Sequence, residues 1–240
     1  MVLTDDPART FMQGLGATLP RPQAIVCVSA HWETEVPMLG STPRPKTIHD
    51  FQGFPDALYR MRYEPPGAPH LARRAAELLT QSGLPATLDP ERGLDHGAWT
   101  PLLLMYPKAD IPTIQCSLQF HRGVAGAIAL GRALAPLRDE GVLVLGSGGA
   151  VHNLRQIRPA GAATPDWATR FDDWLAHNAA TGDVDRRIAN RETNPDGALA
   201  HARDEHLLPF AAALGAGGKG RPLHRGFMYG SLSMAAYAFA

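Results

Sequence analysis

Cysteine is scarce: only Cys27 and Cys116 occur in 240 residues. Each lies inside an apolar run that reads as a strand, so the pair is expected as reduced core thiols, with no disulfide framework and no cysteine-based zinc site. An excess of one charge is missing too. Lys plus Arg and Asp plus Glu both total 23, so no long-range field draws nucleic acid or an anionic membrane, and a small or neutral ligand suits the chain better. No run approaches the roughly 18 apolar residues of a membrane span, and no basic-plus-apolar leader opens the sequence. A cytoplasmic protein is expected.

Several catalytic signatures are absent as well. No pair of histidines has the H-E-x-x-H spacing, so a metal site would have to be assembled from distant segments. The G-S-G-G turn at 146–149 follows a strand, but Leu145 stands where a nucleophile elbow needs glycine, which disfavours acyl transfer by Ser147. The same turn lacks the Lys-Ser/Thr ending of a phosphate loop.

What is present is a hydrophobic content of 45%, enough for a sizeable core, arranged in alternating short apolar runs and amphipathic stretches. Strands are predicted at 23–29, 35–40, 86–89, 112–117 and 141–145, and helices at 4–15, 70–82, 124–137, 167–178 and 204–214. The tail segments 223–227 and 234–239 read as edge strands. Segment 102–105 is apolar without a clear period. The 112–117 strand, 124–137 helix and 141–145 strand form a crossover unit. The expected fold is α/β: a single domain over 1–240 with a central mostly parallel or mixed sheet flanked by helices.

The stretch 141–154, G-V-L-V-L-G-S-G-G-A-V-H-N-L, organises the functional reading. A five-residue run suited to burial on both faces passes into a glycine turn that delivers His152, and ligands in such sheets collect beyond the carboxyl ends of strands. His31 also stands just past a strand. His49, His96 and His206 sit in turns or open a helix, where function concentrates. His70, His121, His177, His201 and His224 have no such setting and are read as surface or core. Dispersed imidazoles suit Zn, Fe, Ni or Cu.

Taken in order, S-A-H-W-E-T at 29–34, T-I-H-D-F-Q-G-F-P at 47–55, G-L-D-H-G-A-W-T-P-L at 93–102, G-S-G-G-A-V-H-N-L at 146–154 and E-H-L-L-P at 205–209 resemble the class III extradiol ring-cleavage dioxygenases. The resemblance is to the DOPA 4,5-dioxygenase-like branch, related to the catalytic subunit of protocatechuate 4,5-dioxygenase, and spans nearly the whole chain. It implies cleavage of a DOPA-like or protocatechuate-like catechol by O2 at one non-haem Fe(II), with Zn(II) as a substitute. By motif, His49 and His206 resemble metal ligands, His152 a catalytic base or further ligand, and His96 an acid or substrate-orienting group. No substrate-binding residue is assigned. A non-catalytic binding protein on the same fold and a zinc-dependent hydrolase stand as alternatives.

The family pattern opens with a strand ending in S-H-G-S-P, whose histidine is a metal ligand, whereas this sequence opens M-V-L-T-D-D-P. The resemblance therefore implies that this form lacks the first strand and one imidazole, binds metal weakly, and leaves a sheet edge open. His31, which also follows a strand, is then read as a substitute ligand.

Overall fold

The computed structural model describes residues 2–182 and 194–240, gathered into two compact units: Met1–Gln119 with Ala133–Ser147, and Phe120–Arg132 with Gly148–Ala240. In the first, α1 (Pro7–Thr18) begins at Asp6, whose side chain accepts from the Arg9 amide, with Pro7 at the position where a missing N–H costs nothing. It leads to β1 (Ala24–Glu33), whose residues 24–30 are all buried, and to the short β2 (Met38–Gly40). After α2 (Asp56–Arg60) come α3 (Pro69–Gln81), β3 (Thr87–Asp89), α4 (His96–Met105) and β4 (Thr113–Leu118). Helix α5 (Gly123–Leu134) falls almost wholly in the second unit, and the chain returns to the first for β5 (Val142–Ser147).

The five strands form one mixed sheet in the order β3-β2-β4-β1-β5, parallel throughout except for the β2–β4 pairing. Helix α3 packs on β2, β3 and β4, and α4 on β1 and β5. The α/β class and the mixed, helix-flanked sheet are those expected from the sequence. Cys27 on β1 and Cys116 on β4 are buried and unpaired, as expected. Burial pushes both thiols up, Cys116 to about 12.

Three local readings change. The run 141–145 is not buried on both faces: β5 is an edge strand, and beyond Val142 its residues are half-exposed. His31 lies within β1 rather than past it, because the strand runs on to Glu33 across an irregularity in its pairing with β4. Residues 96–105, read as a turn and an aperiodic apolar segment, are a helix. Asp95 caps it by accepting from the Ala98 amide, and Trp99, Leu102, Leu104 and Met105 are buried around it, so no polar stripe marked the period.

In the second unit, α6 (Asp166–Thr181) ends at Gly182 in the left-handed region, and α7 (Gly197–Ala200) and α8 (Leu208–Gly217) follow. The predicted 204–214 helix is broken into a tight 3-10 turn at Asp204–His206 and then α8, where Pro209 occupies the first turn. The tail strands do not edge the central sheet. β6 (Gly220–His224) pairs with β9 (Ala236–Phe239), and β7 (Phe227–Met228) with β8 (Leu232–Ser233), as two small antiparallel ribbons. Their apolar side chains, Phe227 and Tyr237, pack with Phe210 on a core of Val151, Phe171, Leu175 and Leu207. Buried Asp172 of α6 holds Arg225 at 2.6 Å and Ser233 at 2.6 Å. Among the described residues no helix is long and apolar enough to cross a membrane.

Candidate active site

In the first unit, two loops run side by side: the Ile48 amide donates to the Leu94 carbonyl and the Leu94 amide to that of Lys46. This pairing carries Asp50 to the start of α4, where its Oδ1 accepts from the His96 amide at 2.9 Å and lies 3.0 Å from His96 Nδ1. Asp50 Oδ2 is 3.8 Å from Nδ1 of His31, and the His31 and His96 rings are 3.9 Å apart between centroids. His31, Asp50 and His96 thus form a group whose ligand atoms lie within 4.8 Å of one another. The side chains are 25–29% exposed, enough for a small ligand to reach them.

The electrostatics suit ligation. Burial raises the Asp50 carboxyl, but the His96 amide and imidazole outweigh it and hold the group at about 2, so the carboxylate is charged at neutral pH. Burial, and then the neighbouring His96, lower the His31 imidazole against the pull of Asp95 and Asp50, which keeps it in the neutral form that a metal ligand needs.

His49 is close by but not in that group. Its ring lies among Phe51, Tyr59 and Trp99 at 5.7, 6.1 and 5.8 Å, and its Nε2 is 3.1 Å from the Met61 carbonyl and 3.3 Å from the Arg62 guanidinium. Phe51 also meets the His96 ring edge-on at 5.4 Å.

In the second unit, the His152 ring stacks on that of His206 with centroids 3.5 Å apart and planes 15° from parallel. Backbone contacts place both: the Gly149 amide donates to the His206 carbonyl, and the His152 amide to that of Ala200. A Cβ at Gly148 would stand 2.2 Å from the His206 carbonyl oxygen, so only glycine fits there. His201, read as a core residue, is buried with Nε2 3.0 Å from the Ala150 carbonyl. Ser147 in the first unit donates its hydroxyl to the Gly97 carbonyl.

Sequence reasoning brought out His31, His96, His152 and His206 but not Asp50. Its signal was present as the acid directly after His49, and only the loop pairing turns it toward His96.

Against this geometry, residues 12–240 match the model of a family described as the catalytic LigB subunit of aromatic ring-opening dioxygenase. The chain belongs to that family. It is 44% identical to the 4,5-DOPA dioxygenase extradiol of Escherichia coli K12, over 97% of this chain and 88% of that protein. It is 40% identical to the protein of the same name from Beta vulgaris, over 100% of this chain and 92% of the relative. The crystal structure of an uncharacterized protein from Escherichia coli K12 matches 99% of this chain and 94% of its own with a TM-score of 0.83 at 38% identity. The chain is an extradiol aromatic ring-opening dioxygenase, which opens a catechol ring, and its family implies a metal cofactor. The residues fit such a cofactor: two imidazoles and a carboxylate within 4.8 Å are a donor set that iron and other first-row divalent ions accept.

Proposed function

We propose that the substrate is a catechol of the DOPA class and the cofactor a non-haem Fe(II), for which Zn(II) competes, in the cytoplasm. Full-length identity of 40–44% to proteins named 4,5-DOPA dioxygenase extradiol carries the reading. By motif we propose His49 and His206 as metal ligands, with His152 as base or third ligand; within the first unit, the cluster of His31 and Asp50 beside His96 offers donors of its own. When bound, the metal supplies Lewis-acid and redox chemistry that brings the diol and O2 to react.

The chain's own residues then have distinct tasks. A catechol hydroxyl must lose a proton, and His152, whose ring is held by the stack on His206, takes it. His96 orients the diol. Its Nδ1 faces the Asp50 carboxylate, which favours the proton on that nitrogen and leaves Nε2 to accept from a substrate hydroxyl. The rings of Phe51 and Tyr59, half-buried and 5.1 Å apart, offer edge and face contacts to an aromatic substrate. Because Nε2 of His49 already faces Arg62, a cation would meet that ring through Nδ1.

The test is oxygen uptake by the apo-protein loaded anaerobically with Fe(II), with L-DOPA and protocatechuate as alternative substrates. Consumption of O2 with a yellow ring-opened product from DOPA, and none from a Zn(II)-loaded control, is expected. An Fe(II)-loaded protein that leaves every catechol intact overturns the reading.

A further inference from the structure

Asp95 is fully buried, yet four donors converge on its carboxylate. Ser29 Oγ donates to Oδ1 at 2.7 Å and the Ala98 amide to the same oxygen at 3.2 Å. Arg92 and Gln115 Nε2 donate to Oδ2 at 2.7 and 2.8 Å. Its own amide donates back to Gln115 Oε1 at 2.8 Å. One carboxylate therefore joins the middle of β1, the start of α4 and the middle of β4. A helix cap needs only the Ala98 contact, which an asparagine would also provide.

The positions of these partners show what the network holds. Ser29 Oγ also accepts the His31 amide at 3.2 Å, and Asp95 directly precedes His96. Gly97 lets the two segments close up: a Cβ there would lie 2.3 Å from Ser29 Oγ and 2.9 Å from His31 Cδ2. Pro101 has no N–H to give the Gly97 carbonyl, which is why the Ser147 hydroxyl can dock on it and tie β5 to the same helix turn. Arg92, the one cation on the carboxylate, lies over the Trp32 ring at 4.7 Å.

We propose that Asp95, acting through Ser29, is a positioning residue that sets the spacing of the His31 and His96 rings over Asp50. The proposal rests on the reading of His31 and His96 as site residues, and a buried carboxylate is the right device for it. Several charge-assisted hydrogen bonds fix two backbones at once, and in a dry site they resist the small displacements that loosen ligand geometry.

Two variants test it. Asp95→Asn keeps size and cap but removes the charge; Ser29→Ala leaves Asp95, Arg92 and Gln115 intact and cuts the link to β1 together with the bond that Ser29 Oγ accepts from the His31 amide. Each is compared with native protein by melting temperature, by the ring nitrogen NMR signals of His31 and His96 in the metal-free protein, and by catechol kinetics after Fe(II) loading. Both variants are expected to move those ring signals while those of exposed His70 stay fixed. We expect kcat to fall by about 10- to 100-fold with KM changed about twofold or less. Ring signals unmoved in folded Ser29→Ala overturn the proposal, as does a kcat loss that only follows the loss of folded protein. The NMR arm needs no turnover, so an inactive native enzyme would count against the catechol reading and not against this one.

Discussion

The two histidine pairs of this chain are held by opposite means. His31 and His96 flank the partly exposed Asp50, and side-chain hydrogen bonds that tie three strands and a helix around buried Asp95 set their positions. His152 and His206 are placed by backbone: glycine amides and carbonyls in close contact, with their own rings stacked. The first arrangement is vulnerable to loss of charge or of a hydroxyl, the second to added volume. A side-chain network can be adjusted one bond at a time, whereas a backbone contact tolerates little.

The largest break follows from the second pair. Gly148→Ala puts a Cβ 2.2 Å from a carbonyl oxygen that cannot rotate away, so the chain must move. We expect kcat to fall by about 10²-fold, the scale of a 1 Å misplacement, and a cost of about 1–3 kcal/mol for the overpacking. Perturbed His152 and His206 ring signals with native ones for His31 and His96 would confirm that the effect is local. In the first pair, Gly97→Ala meets a serine hydroxyl and a ring carbon instead, both at side-chain ends. Those can yield by rotation, and the expected loss is nearer tenfold. If Gly97→Ala proves the more damaging of the two, the contrast between side-chain and backbone placement is wrong.

A smaller effect should appear with acid. The Asp50 carboxyl is held at about 2 in the folded protein against an ordinary 3.8. A lowered folded value means that this contribution to stability is fully present above about pH 4, and is lost as pH falls from there toward 2. Asp50→Asn, which cannot ionise, should therefore melt below the native protein near neutrality, with the difference shrinking as the pH approaches 2. A melting difference that stays constant from pH 6 to pH 2 would assign the cost to something other than charge.

The sequence made the sheet legible where burial and period agree. Strand β1 opens on the apolar run Ala24–Val28, β4 alternates apolar with uncharged polar residues that are all buried, and α3 carries Leu71, Ala75, Leu78 and Leu79 on one face. It hid α4, which is apolar on most of its circumference and carries a proline, although Asp95 three residues before the amide it caps was a readable start signal. The tail strands were legible as strands but not as a separate ribbon pair, because alternation says which residues face inward and not which sheet they join. For the site, turn chemistry exposed the histidines one at a time. What brings Asp50 and His96 together is a loop pairing between segments 46 residues apart, and nothing local encodes that.

The smallest expected effect uses the strands beneath the first pair as a reporter. Cys27 precedes Val28 and Ser29 on β1, Cys116 is paired with Val28 across the sheet, and burial has raised both thiols. In native protein at neutral pH neither should react with a thiol reagent, since thiolate and access are both lacking. Because the Cys116 thiol is raised from 9.0 to about 12, its contribution to stability should be level below pH 9 and fall between 9 and 12, as the unfolded chain loses a proton that the folded one keeps. Loosening the carboxylate network should admit reagent to the sheet, so Asp95→Asn is expected to speed labelling of Cys27 by a few-fold, about the effect of losing 1 kcal/mol of local stability. Gly148→Ala, which strains only the backbone of the other pair, should leave that rate alone. Equal acceleration in both variants would mean that the two histidine pairs share one unfolding event and are not held independently.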